Sequence, residues 1–241
     1  MPGPALDPRK IPRQQRSKAM VDLILEAATR VLRRESLAGF NTNRVAEVAG
    51  ISVGSLYQYF PNKAALVTAL IDRAQTAIAE AIGTLVRELD GRSFEEALSA
   101  MAAYSVRQQY GDPVLAAALD HEEKRLPIQP RLREAELKIV AAVQLLLDRH
   151  AGRLSPALPA GAARDCLAIA RALVEADAGR GAAPPPDLEA RVLRALHGYL
   201  TVAPIGRTPA AEATAVPHPR RVRARSAGAP RPGRATQRRP R

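Results

Sequence analysis

The chain has little of the chemistry that builds disulfide frameworks, metal clusters or aromatic pockets. Its 241 residues include one cysteine, Cys166, no tryptophan, five tyrosines and three phenylalanines. A single thiol excludes an intramolecular disulfide and a cysteine-based metal cluster. Because aromatic residues make up only 3% of the chain, a pocket of stacked rings for flat ligands is not expected.

Long apolar runs are also missing from the sequence. No run reaches the roughly 18 apolar residues that would suggest a membrane-spanning helix. The first ten residues, MPGPALDPRK, lack the apolar segment of a secretion signal. The sequence therefore predicts a cytoplasmic protein without a membrane partner, and its length suffices for one small module and one domain with a core.

The net charge of +12 is concentrated at the two ends of the chain. Residues from 201 onward contain ten arginines and one acidic residue, Glu212, while residues 1–18 carry a net charge of +4. Basic ends attract phosphates regardless of base sequence. The Arg/Pro-rich tail, 203–241, and the basic arm, 1–15, are predicted to be disordered. The tail either adds affinity for nucleic acid or only reflects an arginine-rich composition.

The 19 residues from Thr42 to Phe60 predict two short helices around a tight turn. Apolar residues recur at helical spacing before Gly50, and Asn41 or Thr42 can cap the first helix. Gly50 tolerates the positive φ that a sharp turn between helices requires. Ser52 is placed to cap the second helix.

The second of these helices is predicted to have an inner and an outer face. Leu56 and Phe60 lie four residues apart and share the inner face. The other faces carry Val53, Ser55, Tyr57 and Gln58. Together with the small Ala46 and the glycine at Gly50, this pattern is typical of a DNA-binding helix-turn-helix. A helical hairpin that binds no DNA would tolerate the same small residues.

The run from Asn41 to Leu66, with the core A-G-I-S-V-G-S-L-Y-Q-Y-F-P-N-K, resembles the helix-turn-helix of the TetR family of bacterial transcriptional regulators. The preceding I-L-E-A-A-T-R-V-L, within 16–32, is similar to the family's first helix. The resemblance implies an all-α fold with a helix-turn-helix DNA-binding domain at 16–66 and a helical ligand-binding and dimerisation domain at 67–202. The expected function is that of a ligand-responsive repressor that binds a palindromic DNA operator as a homodimer.

Residue chemistry and the resemblance together predict the residues that contact DNA. Thr42 and Lys63 stand at helix starts, where free N–H groups help to hold phosphate oxygens. Asn43 and Arg44 are placed to reach a base edge or a phosphate. Glycine at Gly54 costs about 1 kcal/mol of helix stability relative to alanine, which suits a backbone that approaches DNA closely. The full predicted set is Thr42, Asn43, Arg44, Ser52, Val53, Gly54, Ser55, Tyr57, Gln58, Tyr59 and Lys63.

Helical patterns continue through the rest of the chain, and no strand pattern is convincing. A long helix is predicted from Lys63 to about Leu89. Its predicted buried stripe is Leu66, Leu70, Ala74, Ala77, Ala81 and Leu85. Later helices are predicted at Phe94 to Tyr110, Pro113 to Arg125, Leu132 to His150, Ala162 to Asp177 and Asp187 to Thr201.

The last helix carries two apolar stripes, which predict two packing partners. One stripe is Leu188, Val192, Ala195 and Tyr199, and the other is Leu193, Leu196 and Leu200. One side would face its own domain and the other a second subunit. The resemblance implies a dimeric four-helix bundle made by the last two helices of each subunit. A dimer reads two half-sites about 34 to 36 Å apart, which multiplies specificity.

The resemblance also implies a pocket for a small-molecule effector between the middle helices, with no cofactor and no metal. The candidate lining residues are Met101, Tyr104, Gln108, Leu119, His121, Val140, Gln144, Cys166 and Arg171. A ligand releases DNA only if it binds the non-DNA-binding arrangement more tightly. The long helix after the DNA-binding module could couple the pocket to that module.

Two alternatives from other functional classes remain. A metal-dependent enzyme would need the cluster from Asp120 to Glu123, but consecutive helical residues point about 100° apart and do not converge on one ion. An exposed helix end is the preferred interpretation of that cluster, and no phosphate loop or catalytic triad pattern is present. A sequence-tolerant architectural DNA-binding protein with arginine-rich arms is the other alternative. It would show a steep salt dependence and little sequence preference.

Overall fold

Helices dominate the computed structural model, which describes residues 15–156, 158–178 and 183–202. They are α1 (Gln15–Gly39), α2 (Thr42–Ala49), α3 (Val53–Tyr59), α4 (Lys63–Glu88), α5 (Phe94–Tyr110), α6 (Pro113–Arg125), α7 (Gln129–Arg149), α8 (Ala162–Ala178) and α9 (Leu188–Thr201), with a 3-10 turn at Ala151–Arg153. No strand occurs in these ranges, so the predicted all-α fold is confirmed. The tail and residues 1–14 of the arm lie outside the described residues.

Polar side chains cap the helices that form the N-terminal module. The Asn41 side chain accepts a hydrogen bond of 2.9 Å from the backbone N–H of Arg44 and caps α2. The Asn62 side chain accepts one of 2.8 Å from the Ala65 N–H at the start of α4. Gly50 ends α2 with φ 68°, the left-handed conformation that its sequence position predicts.

Two apolar clusters organise the described residues, and α4 contributes to both. The head cluster joins α1, α2, α3 and the first half of α4, and it also takes in Ala118 of α6 and Leu132 of α7. The body cluster joins the second half of α4 to α5, α8, α9 and the second half of α7. The core of the N-terminal module therefore extends into later helices.

The predicted stripe on α4 is wrong in its second half. Leu66 and Leu70 are buried, but Ala77 is exposed, and Ile82 and Val86 are the large buried residues further along. The helix has 26 residues and changes partners along its length, so its buried face changes as well. An expectation based on one straight stripe misses this change.

The two stripes predicted on α9 are also wrong. Leu188, Val192, Leu196 and Leu200 form one buried stripe at four-residue spacing, facing α5 and α8. The remaining apolar residues of the two predicted stripes, Leu193, Ala195 and Tyr199, are only half-buried.

Helix α7 begins at Gln129, three residues before the predicted start. Pro130 occupies the first turn, where proline is favourable because its missing N–H is not needed. The bounds predicted for α5 and α6 agree with the structure. Within the described ranges, no helix is long and apolar enough to cross a membrane.

We predict that Gly50→Ala lowers the free energy of unfolding, because the left-handed conformation costs a residue with a Cβ about 1 to 2 kcal/mol. Urea denaturation of the intact chain measures the loss. The control is Gly152→Ala, since Gly152 lacks a positive φ and an added Cβ there meets no atom within 4 Å. Equal stability of the two variants would contradict this account of the turn.

Candidate nucleic-acid interface and effector cavity

Helix α3 buries one face in the head cluster and exposes the other, which we call its open side. Leu56 and Phe60 are fully buried, as the sequence predicts. Tyr57 and Gln58 lie on the open side, and Tyr57 is 38% exposed although it is aromatic. An exposed tyrosine offers its ring and the remaining hydrogen-bonding capacity of its hydroxyl to a partner. This open side is the candidate reading surface.

Thr42 and Tyr57, both predicted DNA contacts, contact each other. The Thr42 Oγ1 and the Tyr57 hydroxyl lie 3.0 Å apart, within hydrogen-bond distance. Thr42 is only 9% exposed, at the start of α2, so its side chain is largely covered. The hydrogen bond fixes the start of α2 against the outer face of α3.

Arg44 is held by two carboxylates. Its Nε lies 2.6 Å from Glu35 Oε1, and its Nη1 lies 2.8 Å from Glu47 Oε2. The hydrogen bonds to Glu47 and Glu35 raise the pKa of the guanidinium further above its ordinary value. Glu35 directly precedes Ser36, where α1 bends with φ 54°. In this arrangement, Arg44 links α2 to the bend in α1, and a contact with DNA would compete with these two carboxylates.

The start of α3 is exposed and polar. The Ser52 Oγ accepts a hydrogen bond of 3.0 Å from the Ser55 N–H, and the two hydroxyl oxygens lie 2.8 Å apart. Gly54 is exposed between them, and a Cβ added there would meet only Ser52 Oγ, at 3.8 Å. No packing within the described residues therefore requires glycine at this position.

The other predicted DNA contacts differ in exposure. Asn43 is exposed on α2, and Lys63 is exposed at the start of α4 with its Nζ 5.4 Å from the centre of the Phe40 ring. Val53 and Tyr59 are half-buried and pack partly against the head cluster. Val53 and Tyr59 therefore contribute to the packing of the head cluster in addition to their predicted contact with DNA.

A cavity of about 500 Å³ lies among α4, α5, α6, α7 and α8. Small-molecule sites commonly have volumes of about 300 to 1,000 Å³. Its larger apolar lining residues are Ile71, Ile78, Ile82, Met101, Leu119, Leu132, Ile139, Leu167 and Val174. Its polar lining residues include Gln75, Tyr104, Ser105, Gln108, Gln109, Asp120, Glu123, Gln129, Glu136, Arg171 and Glu175.

Five of the nine predicted lining residues surround this cavity. They are Met101, Tyr104, Gln108, Leu119 and Arg171. His121, Val140, Gln144 and Cys166 are absent from the lining. His121 is exposed, and the Gln144 amide donates a hydrogen bond of 2.8 Å to Asp148 on the same helix. Cys166 is buried in the body cluster, where burial and then Asp165 raise its pKa to about 12.

The expectation of an exposed helix end at Asp120 to Glu123 holds for His121 but is wrong for Glu122 and Glu123. Glu122 and Glu123 are each only 8% exposed, because α6 packs against α1, α4 and α5. The Glu123 carboxylate faces the cavity and accepts a hydrogen bond of 3.0 Å from Gln75 Nε2. In the described part of the chain, no group of three His, Cys, Asp or Glu side chains could hold a metal ion.

Sequence reasoning missed Gln75, Glu123 and Glu175 as cavity residues. A usable signal was present on α6, where Ala116, Asp120 and Glu123 follow helical spacing on one face. This spacing was overlooked because runs of acidic residues usually lie in solvent.

Two family models match the chain. The first, described as bacterial regulatory proteins of the tetR family, matches residues 24–70, and the second, a tetracyclin repressor-like C-terminal domain, matches residues 93–200. Together they cover more than half of the chain. It belongs to the TetR family.

Similar proteins agree with this assignment. Two uncharacterized HTH-type transcriptional regulators of Mycobacterium tuberculosis, from strains CDC 1551 and H37Rv, are each 31% identical over 103 residues, which is 43% of this chain and 50% of the relative. The chain thus spans about half the length of the curated relatives that it matches.

Solved structures share the TetR fold at low sequence identity. A TetR-family regulator from Mesorhizobium loti has a TM-score of 0.59 at 18% identity, covering 77% of this chain and 95% of the other. The fatty acid degradation regulator FadR from Bacillus halodurans has a TM-score of 0.59 at 20% identity, covering 74% and 98%. At these identities, the likeness shows the fold alone.

Both matching models therefore place this chain in a family of bacterial regulatory proteins. The matching family models describe regulators, and neither describes an enzyme. In this TetR-type fold, we call α1, α2, α3 and the first half of α4 the head, and the open side of α3 lies on its surface. The cavity lies among α4 to α8.

We predict that Gly54→Ala stabilises the chain yet weakens DNA binding. Alanine favours a helix over glycine by about 1 kcal/mol, whereas its methyl group occupies space on the side that would approach DNA. Urea denaturation measures the first effect, and fluorescence anisotropy with a duplex selected from a random pool measures the second.

The matched control for Gly54→Ala is Gly83→Ala within α4, where an added Cβ makes only an ordinary 3.5 Å contact with Arg87. This control should gain stability without losing DNA affinity. Unchanged DNA affinity in Gly54→Ala would contradict the assignment of α3 as the reading helix.

Proposed function

We propose that this TetR-family chain is a ligand-responsive repressor that binds a palindromic operator as a dimer. The observation that carries the proposal is the double role of Leu119. This side chain lines the cavity and also packs against the head cluster. Ile71 and Leu132 belong to both sets as well. A molecule in the cavity would touch the same side chains that support the DNA-binding head.

The reading residues in this proposal are the exposed polar groups of the head. Asn43 and Gln58 would read bases, since a carboxamide pairs well with adenine. Ser52, Ser55 and Tyr57 would bond phosphates or bases next to the open backbone at Gly54. Thr42, Arg44, Val53, Tyr59 and Lys63 remain part of the proposed contact set. Arg44 would also position α2 through Glu35 and Glu47.

The basic ends of the chain would add affinity without sequence preference. Among the described residues of α1 to α4, Lys63, Arg16, Lys18, Arg30 and Arg34 are exposed cations, while Arg33 pairs with Asp112 and Arg44 with two carboxylates. The predicted arm, 1–15, would add further phosphate contacts to those of the exposed cations.

Dimerisation would place two heads on the two halves of a palindrome. Helix α8 has an exposed stripe of small residues, Ala168, Ala172 and Ala176, on the side opposite its buried face. Half-buried Ile169 and Leu173 flank this stripe. Alanines at four-residue spacing allow close approach of another helix, and a two-fold axis would bring the same face of a second copy against them.

The ligand would act through α6. Arg33 of α1 pairs with Asp112, the N-cap of α6, and α1 packs along α6. Asp72 of α4 accepts a hydrogen bond of 2.7 Å from Arg131 near the start of α7. A ligand that prefers a shifted α6 would move α1 and release DNA, because it can bias only states that it binds unequally.

We predict that Ala172→Glu shifts the chain from a dimer to its 25.9 kDa monomer, because it buries a charge in the proposed interface. Multi-angle light scattering gives the mass. Operator affinity should fall about a hundredfold or more once the two heads are no longer linked. Ala77→Glu, an exposed alanine on α4, is the matched control and should change neither property. A dimeric Ala172→Glu variant would contradict the proposed interface.

The proposed function is tested by genomic DNA occupancy in cells. The intact chain should occupy a few sharp palindromic sites, and the double substitution Asn43→Ala, Tyr57→Ala should lose them. Transcription of the adjacent genes should rise in the double variant if the chain is a repressor. A fall in transcription at the same sites would contradict repression and support activation.

The same experiment separates the regulator from the architectural alternative. Removing residues 203–241 should leave the sharp sites of a regulator in place. Diffuse occupancy that survives the double substitution but disappears with the tail would overturn the proposed function. It would assign nucleic-acid binding to the arginine-rich tail.

A further inference from the structure

The charged side chains that line the cavity are mostly acidic. They are Asp120, Glu123, Glu136 and Glu175, and Arg171 is the only cation among the described lining residues. Glu123 is the most deeply placed of these acids, with 8% of its surface exposed. A buried carboxylate loses much of its hydration and requires compensation from charge or hydrogen bonds.

The four carboxylates differ in how closely a cation balances their negative charge. Glu175 lies 2.6 Å from Arg171 Nε and 3.5 Å from Lys124 Nζ. Glu136 pairs with Arg164 on α8. These two acids therefore have cationic partners at the rim of the cavity.

Glu123 and Asp120 depend mainly on neutral amides. Glu123 accepts its 3.0 Å hydrogen bond from Gln75, and Asp120 accepts one of 3.3 Å from Gln109. The nearest guanidinium nitrogen of Arg171 is 3.8 Å from Glu123, too far for a hydrogen bond. Arg171 is thus shared among Glu175, Glu123 and Asp120, and it forms its close contact with Glu175. These three carboxylates carry more negative charge than this one guanidinium balances.

The apolar part of the lining is mainly aliphatic. Ile78, Ile82, Leu167 and Val174 line the cavity, and Tyr104 is the one aromatic residue among the described lining residues. Such walls favour a flexible alkyl body over a stack of flat rings. The cavity therefore combines an apolar chain-binding region with a group of carboxylates.

We propose that the effector is an aliphatic amine whose ammonium group pairs with Glu123 and Asp120 while its alkyl chain lies along the aliphatic wall. This assignment deepens the proposed function and rests on the cavity being its effector site. The ammonium group donates charge-assisted hydrogen bonds to a carboxylate whose hydrogen-bond donor is an amide and whose ion-pair partner, Arg171, lies 3.8 Å away. A carboxylate ligand would instead meet like charge at the same place.

Three probes with the same ten-carbon chain test the charge preference directly. Calorimetry with the intact chain at pH 7.5 compares decylamine, decanol and decanoate. Decylamine should bind about tenfold or more tightly than decanol, because a hydrogen bond to a charged group adds to the shared apolar contacts. Decanoate should bind most weakly of the three.

Two substitutions should act in opposite directions. Glu123→Gln keeps the shape but removes the charge, and should lower decylamine affinity about tenfold while leaving decanol within about twofold. Arg171→Gln removes the competing cation and should raise decylamine affinity. The control is Glu88→Gln, because Glu88 is an exposed glutamate at the end of α4 and does not line the cavity. This substitution should change neither the decylamine affinity nor the decanol affinity.

Several results would overturn the amine assignment. These are preferential binding of decanoate that Arg171→Gln abolishes, equal binding of all three probes, and no binding of any probe. Operator release by decylamine is measured separately. Glu123-dependent binding without any change in operator affinity would support the amine site and contradict the proposed switch.

Discussion

The structure depends on the packing of α6 between the DNA-binding head and the cavity. Ala118 is buried in the head cluster, while Ala116, Asp120 and Glu123 on another face of the same helix line the cavity. Protein interiors are close-packed, so a wall of the cavity cannot move without displacing what lies behind it. The pair of Arg33 with Asp112 ties the first residue before α6 to α1 as well. A molecule in the cavity would therefore contact the same helix that packs against the head cluster.

The head itself is rigid where it packs and open where it would read DNA. The left-handed Gly50 sets the turn, and buried Leu56 and Phe60 fix the rotation of α3. The contact between Thr42 and Tyr57 then ties the outer face of α3 to the start of α2. A preorganised reading helix loses little conformational entropy on binding, which leaves more of the contact energy for affinity.

Sequence alone predicted those features that depend on local chemistry. Capping at Ser52, the turn at Gly50 and the bounds of α5 and α6 follow from residues within one helical turn of the feature. The partners of long helices depend on distant parts of the chain, which explains the errors on α4 and α9. Burial of Glu123 needed knowledge that α6 packs against α4, and Gln75, which bonds Glu123, lies 48 residues earlier. A cavity among the middle helices was therefore expected, but only some of its lining residues were identified.

The central claim is that DNA binding and the cavity are coupled through α6. Coupling between two sites is reciprocal, so an operator that is coupled to the cavity must change the affinity of the cavity for its effector. If α6 carries this coupling, operator binding should also alter α6 in the absence of an effector. Hydrogen–deuterium exchange of the intact chain, with and without an operator duplex, tests this directly. We expect the exchange of backbone amides to change in Pro113–Arg125 as well as in Val53–Tyr59. A change confined to the helices of the head, with identical exchange across α6, would contradict the account.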